Sequence, residues 1–305
     1  MSLAAPLPTS PRPALTSTDY ALYGATVFSW GFSWIAIKGQ VGDIPPEVSV
    51  FWRFVLASMV MVGWCYWRGH NLRYGLKDHL RFAGLGLFIF SANFTLFYYG
   101  AASLPSGLLA VIFSLASVLN LMLAFILFGQ RPGLVSLAAG LLGFAGIALM
   151  FKPQILDAGI DYAAISGLGF CALGTLSFCL GNMLSASNQQ KGLPVTPATA
   201  WGMAYGTLFL GLFATLKGNS FAIDPSPIYI TSLVYLAIIS SVVAFGSYLT
   251  LLGRIGSARA GYATVIFPVV ALSISTVFEG YQWTGSAMLG LACVLFGNVL
   301  MLRGR

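Results

Sequence analysis

Trp30, Trp34 and Lys38 stand four residues apart along one apolar stretch. On a helix, that spacing keeps them on one slowly drifting face. Two indoles followed by an ammonium suit a ligand with a ring and a carboxylate: rings stack on rings, and the cation pairs with the acid. The competing reading is an interfacial anchor, with tryptophans in the headgroup belt and lysine snorkelling to the water. Lys38 fits the anchor slightly better; Trp30, which lies deeper, fits a cavity or a helix contact. Arg53 lies seven residues past Pro46, ~10 Å into its apolar segment at 1.5 Å per residue. Exposure to lipid there would cost at least ~2 kcal/mol, so Arg53 must face protein or water. It either meets a substrate carboxylate or holds helix ends through backbone carbonyls.

Four other stretches place single hydrogen-bonding groups on aromatic faces. Asn93 and Phe97 share a face with Gly100, with Tyr98 and Tyr99 beside it. Phe113, Ser117 and Asn120 form a second group, Phe178, Gly181 and Asn182 a third, and Ser241, Phe245 and Tyr248 a fourth. That composition is expected of a small-molecule pocket, although small and polar residues also hold membrane helices together. Pro268 interrupts a late apolar segment. It either frees a carbonyl for ligand or water or simply kinks the helix. Glu279 closes the same segment.

No catalytic constellation is visible. The four cysteines, Cys65, Cys171, Cys179 and Cys293, fall inside apolar segments without metal-ligand spacing, and read as small packing residues. His70 and His79 flank a basic loop and read as solvated. The eight acids are Asp19, Asp43, Glu47, Asp78, Asp157, Asp161, Asp224 and Glu279, and none falls in mid-segment. Intramembrane hydrolysis needs a Ser/His, paired Asp or metal-ligand set, so no enzyme, metal or cofactor is expected. Proton pumps usually hold an intramembrane acid or histidine. Its absence points to a weakly coupled exporter or facilitator.

The elements that must position these residues fill nearly the whole chain. Of its 305 residues, 58% are hydrophobic and only 8% charged, against about a quarter charged in soluble domains. Ten apolar segments are expected as spans: roughly Tyr20–Lys38, Pro46–Trp67, Arg81–Leu104, Ser106–Phe128, Gly133–Phe151, Tyr162–Ala186, Thr196–Lys217, Ile228–Ile255, Ser257–Phe278 and Gly285–Leu302. They do not alternate, so helices satisfy their backbone in lipid and strands are not expected. The fold class is all-α integral membrane. Residues 1–18, rich in Pro, Ser and Thr, read as a disordered cytoplasmic tail; residues 19–305 read as one membrane domain.

The net charge of +7 does not point to nucleic acid. Eleven Lys or Arg residues fall on the side of the N-terminus, among them Arg68, Arg73, Lys77, Arg81 and Arg254. Only Lys38, Lys152 and Lys217 fall opposite, with Arg53 inside a span. The positive-inside rule then puts both termini in the cytoplasm of an inner (plasma) membrane protein. Lipid and a small-molecule substrate are the expected partners, and a monomer is compatible with this organisation.

The chain repeats itself. Gly107, Val111, Ile112 and Phe113 recur as Gly261, Val265, Ile266 and Phe267, and Ser103 and Ser257 precede them. The run 146–150 is similar to 297–301. Repeat one is drawn over about 20–151 and repeat two over about 162–302. Five crossings per repeat is an odd number, so the second repeat enters the membrane inverted, an arrangement typical of transporters.

The run Trp30 to Lys38, followed by Pro45-Pro46 and Arg53-Phe54-Val55-Leu56-Ala57, resembles the first two helices of the EamA-type, drug/metabolite transporter superfamily. Phe278-Glu279-Gly280-Tyr281-Gln282-Trp283, after Pro268, is similar to that family's junction between helices nine and ten. Within the family the bacterial aromatic amino acid exporters look closest. The resemblance covers all ten spans. It implies two inverted five-helix repeats around a central cavity, lined mostly by spans one, three, four, six, eight and nine. Two places depart: Ser114 stands where the family often has Pro, and Gly129-Gln130 where it has Glu.

The function expected is export of small amphipathic metabolites, most of all aromatic amino acids, by alternating access. Lys38 or Arg53 would meet the carboxylate and Asn93 or Asn182 the polar remainder. The aromatics Trp30, Trp34, Phe97, Tyr98, Tyr99, Phe178 and Tyr248, with Ser117, complete the expected site, and Pro268 and Glu279 would gate it. A broad drug exporter is the alternative; a membrane scaffold or an intramembrane enzyme is a distant third.

Overall fold

The computed structural model describes residues 15–129, 133–152, 161–255 and 263–303. They form ten helices: α1 (Ser17–Lys38), α2 (Pro46–Trp67), α3 (Leu76–Ala101), α4 (106–128), α5 (Leu134–Met150), α6 (Tyr162–Gln190), α7 (Val195–Leu216), α8 (227–255), α9 (Ala263–Glu279) and α10 (Gly285–Arg303). No strand occurs among the described residues.

Six of the ten, α2, α3, α4, α6, α7 and α8, are long and apolar enough to cross a bilayer. The other four are α1 and, as far as they are described, the shorter apolar helices α5, α9 and α10. Helix α5 has 17 residues, ~26 Å at 1.5 Å per residue, short of a ~30 Å hydrocarbon core. Local thinning of the bilayer accommodates such helices. Helix α1 has the length, but Tyr, Ser, Gly and Trp dilute its apolar residues. The first part of span nine, residues 257–262, lies outside the described residues, and with it Ser257 and Gly261 of the repeat motif.

Residues 16–18, drawn in the tail from the sequence, belong to the start of α1. Residues 1–14 lie outside the described residues, but Thr16 caps α1. Its hydroxyl accepts from Asp19 N at 3.3 Å and Asp19 accepts from Thr16 N at 2.8 Å. This capping box satisfies two donors that the first turn cannot pair.

Corresponding helices of the two halves share local irregularities. Helices α3 and α8, five apart in chain order, each contain a π-helical segment, Phe88–Asn93 and Tyr235–Val243. Helices α2 and α7 both end with a glycine two residues on, Gly69 and Gly218, at φ 67° and 73°. Helices α4 and α9 end directly on Gly129 and Gly280, at φ 68° and 65°. Glycine takes this left-handed conformation without the steric penalty of a Cβ.

The packing follows the same correspondence. Helix α5 packs on α10, α2 on α7 and α4 on α9, and each of these couples joins a helix to the one five later. The remaining large contacts exchange in pairs: α1 on α9 answers α6 on α4, α3 on α6 answers α8 on α1, and α3 on α7 answers α8 on α2. The helices within α5/α10 run antiparallel. A Cβ on Gly146 would sit 2.5 Å from the Gly290 carbonyl and one on Gly290 2.5 Å from the Gly146 carbonyl, while Gly297 faces Ala139. In lipid, such backbone approach replaces the hydrophobic drive that holds soluble helices together.

Polar contacts mark the two ends of the bundle. At one, Arg254 Nε (α8) reaches Asp19 Oδ1 (α1) at 2.5 Å, and Arg81 Nη1 (α3) donates to Asn188 Oδ1 (α6) at 2.8 Å. There the Arg254 guanidinium, with Thr16, holds the Asp19 carboxyl down at about 2. His79 is not a solvated loop residue: Nδ1 lies 3.0 Å from Tyr205 Oη, and its ring lies 4.5 Å from that of Trp201. The opposite end gathers Lys38, Glu47, Tyr99, Ser106, Lys217 and Glu279.

Candidate functional site: an aromatic centre beneath a polar seal

The ring cluster draws on α1, α3, α4, α6, α8 and α9, the six helices that the family resemblance singles out. Trp34 lies against Phe97 at 5.1 Å and Phe113 at 5.6 Å, and stacks on Phe267 at 6.4 Å with 17° between planes. Phe178 reaches Phe113 at 4.8 Å. One turn earlier on α1, Trp30 meets Phe245 at 5.7 Å, Tyr248 at 5.2 Å and Phe267 at 6.4 Å. The sequence-predicted residues Trp30, Trp34, Phe97, Phe178 and Tyr248 therefore come together. Phe113 and Phe267 join them; in the sequence they stand out as repeat markers rather than as site residues. Pro268, next to Phe267, is buried, and α9 continues through it.

Buried polar atoms without a partner on these helices include Trp34 Nε1, Asn93 Oδ1, Thr95 Oγ1 and Asn120 Oδ1. Trp34 is 7% exposed, and its Nε1–H has no acceptor. Asn93 is 2% exposed and donates from Nδ2 to Ile89 O of its own helix at 3.4 Å, leaving Oδ1 without a donor. Each such buried group costs about 1–3 kcal/mol. Asn93 stands one turn from Phe97 on α3. Asn182, one turn from Phe178 on α6, is half-buried.

The remaining predicted residues serve other contacts. Lys38 Nζ donates to Ala101 O at 2.7 Å, a cation on the carbonyl end of α3. Tyr98 Oη donates to Gln40 Oε1 at 2.6 Å. Tyr99 Oη donates to Glu47 Oε2 at 2.7 Å and accepts from Lys217 Nζ at 2.9 Å. Lys217 also pairs with Glu47 Oε1 at 2.7 Å, and Asn219 Nδ2 reaches the same oxygen at 2.6 Å. The Glu47 and Tyr99 hydrogen bonds raise the Lys217 pKa. Glu279 accepts from Ser106 N at 2.9 Å, from the Ser106 hydroxyl and from Ser275 Oγ at 2.6 Å, tying the end of α9 to the start of α4. These bonds seal that end of the bundle above the rings. Ser117 Oγ donates to Asn298 Oδ1 on α10 at 2.6 Å and so ties two helices.

Arg53 belongs to a separate set of rings. It is 1% exposed, with its guanidinium carbon 4.2 Å from the Phe94 centroid and 5.5 Å from that of Phe54. Nε and Nη2 reach Ser241 Oγ at 3.2 and 3.1 Å, and Nη2 reaches Ser240 Oγ at 3.5 Å. Ser241 spends its own proton on Leu236 O, so its lone pairs face the cation. The partners are serine hydroxyls of a π segment, not the helix-end carbonyls expected. Sequence reasoning had no signal for the Ser240–Ser241 pairing, because the π segment that turns both toward Arg53 has no residue signature of its own.

Among the described residues no group of three His, Cys, Asp or Glu side chains could hold a metal. The centre offers ring faces and isolated hydrogen-bonding atoms.

An all-helical, multi-pass membrane protein with such a centre belongs to the class of small-molecule transporters. The EamA-like transporter family matches residues 20–152 and again 165–303, one match to each half, and the chain belongs to this family. It is a transporter, not an enzyme. It is 24% identical to a "Probable amino-acid metabolite efflux pump" of Escherichia coli K12, over 95% of this chain and 98% of that one. It is 26% identical to the "Uncharacterized inner membrane transporter YedA" of the same organism, over 94% and 90%. A solved crystal structure, 16% identical, superposes with a TM-score of 0.66 over 94% of this chain and 96% of its own, which establishes the shared fold.

Proposed function

We propose that this transporter exports aromatic amino acids across the inner membrane by alternating access. The observation that carries the reading is the ring cluster around Trp34 and Phe267, built from six helices of both halves. A planar side chain would exchange for a protein ring there at little cost, because offset and edge-to-face contacts are available on several sides. The "Probable amino-acid metabolite efflux pump" of Escherichia coli, similar along 98% of its length, supports amino-acid metabolites as the cargo class.

The halves act as inverted repeats. Antiparallel couples α2/α7, α4/α9 and α5/α10 are what a two-fold axis in the membrane plane requires, and rocking about that axis opens the centre to either face. Both termini lie in the cytoplasm, by the excess of Lys and Arg on their side. The Glu47–Lys217 and Glu279–Ser106 contacts then close the outer face, and substrate enters from the cytoplasm. With acids confined to helix ends, transport follows the substrate gradient with weak proton coupling.

Counterflow of labelled phenylalanine, tyrosine and tryptophan in reconstituted vesicles tests this. Uptake above empty vesicles, competed by the three and not by lysine or glutamate, is expected. Strict dependence on an imposed pH gradient would overturn the coupling, and absence of aromatic amino acid transport would overturn the cargo.

A further inference from the structure

We infer that the zwitterionic head of the substrate is held by two unpartnered polar atoms, Trp34 Nε1–H for the carboxylate and Asn93 Oδ1 for the ammonium. This rests on the aromatic amino acid reading and specifies how its site discriminates.

Trp34 and Asn93 are linked through Phe97. Trp34 lies on Phe97 at 5.1 Å, and Asn93 is one turn below Phe97 on the same face of α3. Both are more than nine-tenths buried. One is a donor without an acceptor and the other an acceptor without a donor. The Asn93 amide is oriented by its own Nδ2–H, which bonds back to Ile89 O and leaves Oδ1 without a donor. The Trp34 indole is fixed by three phenylalanine rings, none of which can accept its N–H in a conventional bond. An amino acid supplies what each lacks, an anionic acceptor and a cationic donor on one carbon.

The available cations do not compete for this role. Lys38 is engaged on Ala101 O, and Arg53 is enclosed by Phe54, Phe94 and two serines. Neither atom of the proposed pair carries a formal charge. The centre therefore selects a solute whose two charges neutralise each other, since an unbalanced charge in a low-dielectric site is heavily penalised. Movement of such a solute carries no net charge.

The test compares three solutes in wild-type vesicles and in two variants: phenylalanine, phenethylamine (no carboxylate) and 3-phenylpropionate (no ammonium). Binding to the purified wild type is measured as well, so that the result does not depend on variant folding. In the wild type, both analogues should bind at least about tenfold more weakly than phenylalanine, the range for losing one hydrogen bond to a charged group. Trp34→Phe keeps the ring and removes the N–H. It should weaken phenylalanine and phenylpropionate about tenfold and leave phenethylamine unchanged. Asn93→Leu should weaken phenylalanine and phenethylamine and leave phenylpropionate unchanged.

Equal binding of all three solutes to the wild type, or uniform weakening of all three by both variants, would overturn the assignment while leaving aromatic amino acid export intact. Absence of phenylalanine transport by the wild type would remove both. A membrane potential that drives phenylalanine accumulation in wild-type vesicles would contradict the uncharged site.

Discussion

Phe113 on α4 and Phe267 on α9, which occupy the same place in the repeated motif, lie with ring centroids 6.2 Å apart at the meeting of the two halves. Residues related by a two-fold operation touch one another only near its axis. The aromatic centre is thus built where the symmetry of the fold is tightest, and Trp34 leans on both rings.

Replacing either ring should therefore affect transport in the same direction. An aromatic pair contributes ~0.5–1.5 kcal/mol beyond area burial, about a 2- to 12-fold change in affinity. Phe113→Ala and Phe267→Ala should each raise KM for phenylalanine by that factor. Phe267 is 1% exposed and Phe113 only partly buried, so Phe267→Ala should also lower the melting temperature more. Vesicle counterflow and thermal melts in detergent check both. Unchanged KM in both variants would place the substrate elsewhere.

The α5/α10 contact predicts a sharp steric asymmetry among glycines. A Cβ at Gly290 would lie 2.5 Å from the Gly146 carbonyl and 2.6 Å from Met150 Cγ, whereas at Gly24 it meets nothing within 4 Å. Backbone cannot move aside as a side-chain tip can. Gly290→Ala should cost ~1–3 kcal/mol or more by overpacking. Gly24→Ala should be neutral, or stabilise α1 by up to ~1 kcal/mol through helix propensity. Melting followed by size-exclusion chromatography separates the two; equal behaviour would mean that α5 and α10 stand further apart.

Much of this architecture is legible in the sequence because lipid simplifies the problem. Continuous apolar runs have to be helices, and the recurrence of Gly107 to Phe113 as 261–267 marks related segments. Span edges are less legible where amphipathic turns extend a helix beyond its apolar run, as Leu76 to Leu80 extend α3. The ring cluster is half legible: spacing puts Trp30 and Trp34 on one face, but only packing brings α9 and Phe267 to them. Lys38 shows the limit. Four-residue spacing places it in line with the indoles, yet the nearby carbonyl end of α3 claims the ammonium. Gln40 and Glu47 carry no signal of their own, since their partners Tyr98 and Lys217 come from distant helices.

The Asp19–Arg254 pair sets an acid limit. Asp19 is held down at about 2 by Arg254 and Thr16, against ~3.9 for an unfolded aspartate. A folded-state pKa below the unfolded one means stability that is present above ~3.9 and lost as pH falls toward ~2. The melting-temperature gap between wild type and Asp19→Asn should therefore be constant from about pH 5 to 8 and shrink below ~4. A gap that instead varies between pH 6 and 8 would show that another group, not Asp19, is responsible.

Arg53 and Ser241 yield the prediction with the least intuitive sign. The guanidinium is buried with hydroxyls and ring faces around it, and Nη1 has no hydrogen-bond partner. Removing the serine acceptors leaves the charge in place and takes away hydroxyls that solvate it, with Tyr98 still beside it. Removing the charge abolishes that demand, and a methionine fills comparable length. Hydrogen bonds to a charged group contribute ~1.5–3 kcal/mol. Replacing a buried ion pair by packed apolar side chains is often neutral or stabilising, and the hydrogen-bond partners of Arg53 are neutral serines, so its removal strands no opposite charge. The Ser240→Ala/Ser241→Ala double variant should thus lose at least ~2 kcal/mol. Arg53→Met should stay within ~1 kcal/mol of the wild type. The two orders are separable by melting temperature alone. If Arg53→Met proves the less stable protein, the cation is a net staple between α2 and α8. If it is stable but transports nothing, Arg53 acts in the cycle rather than in the fold.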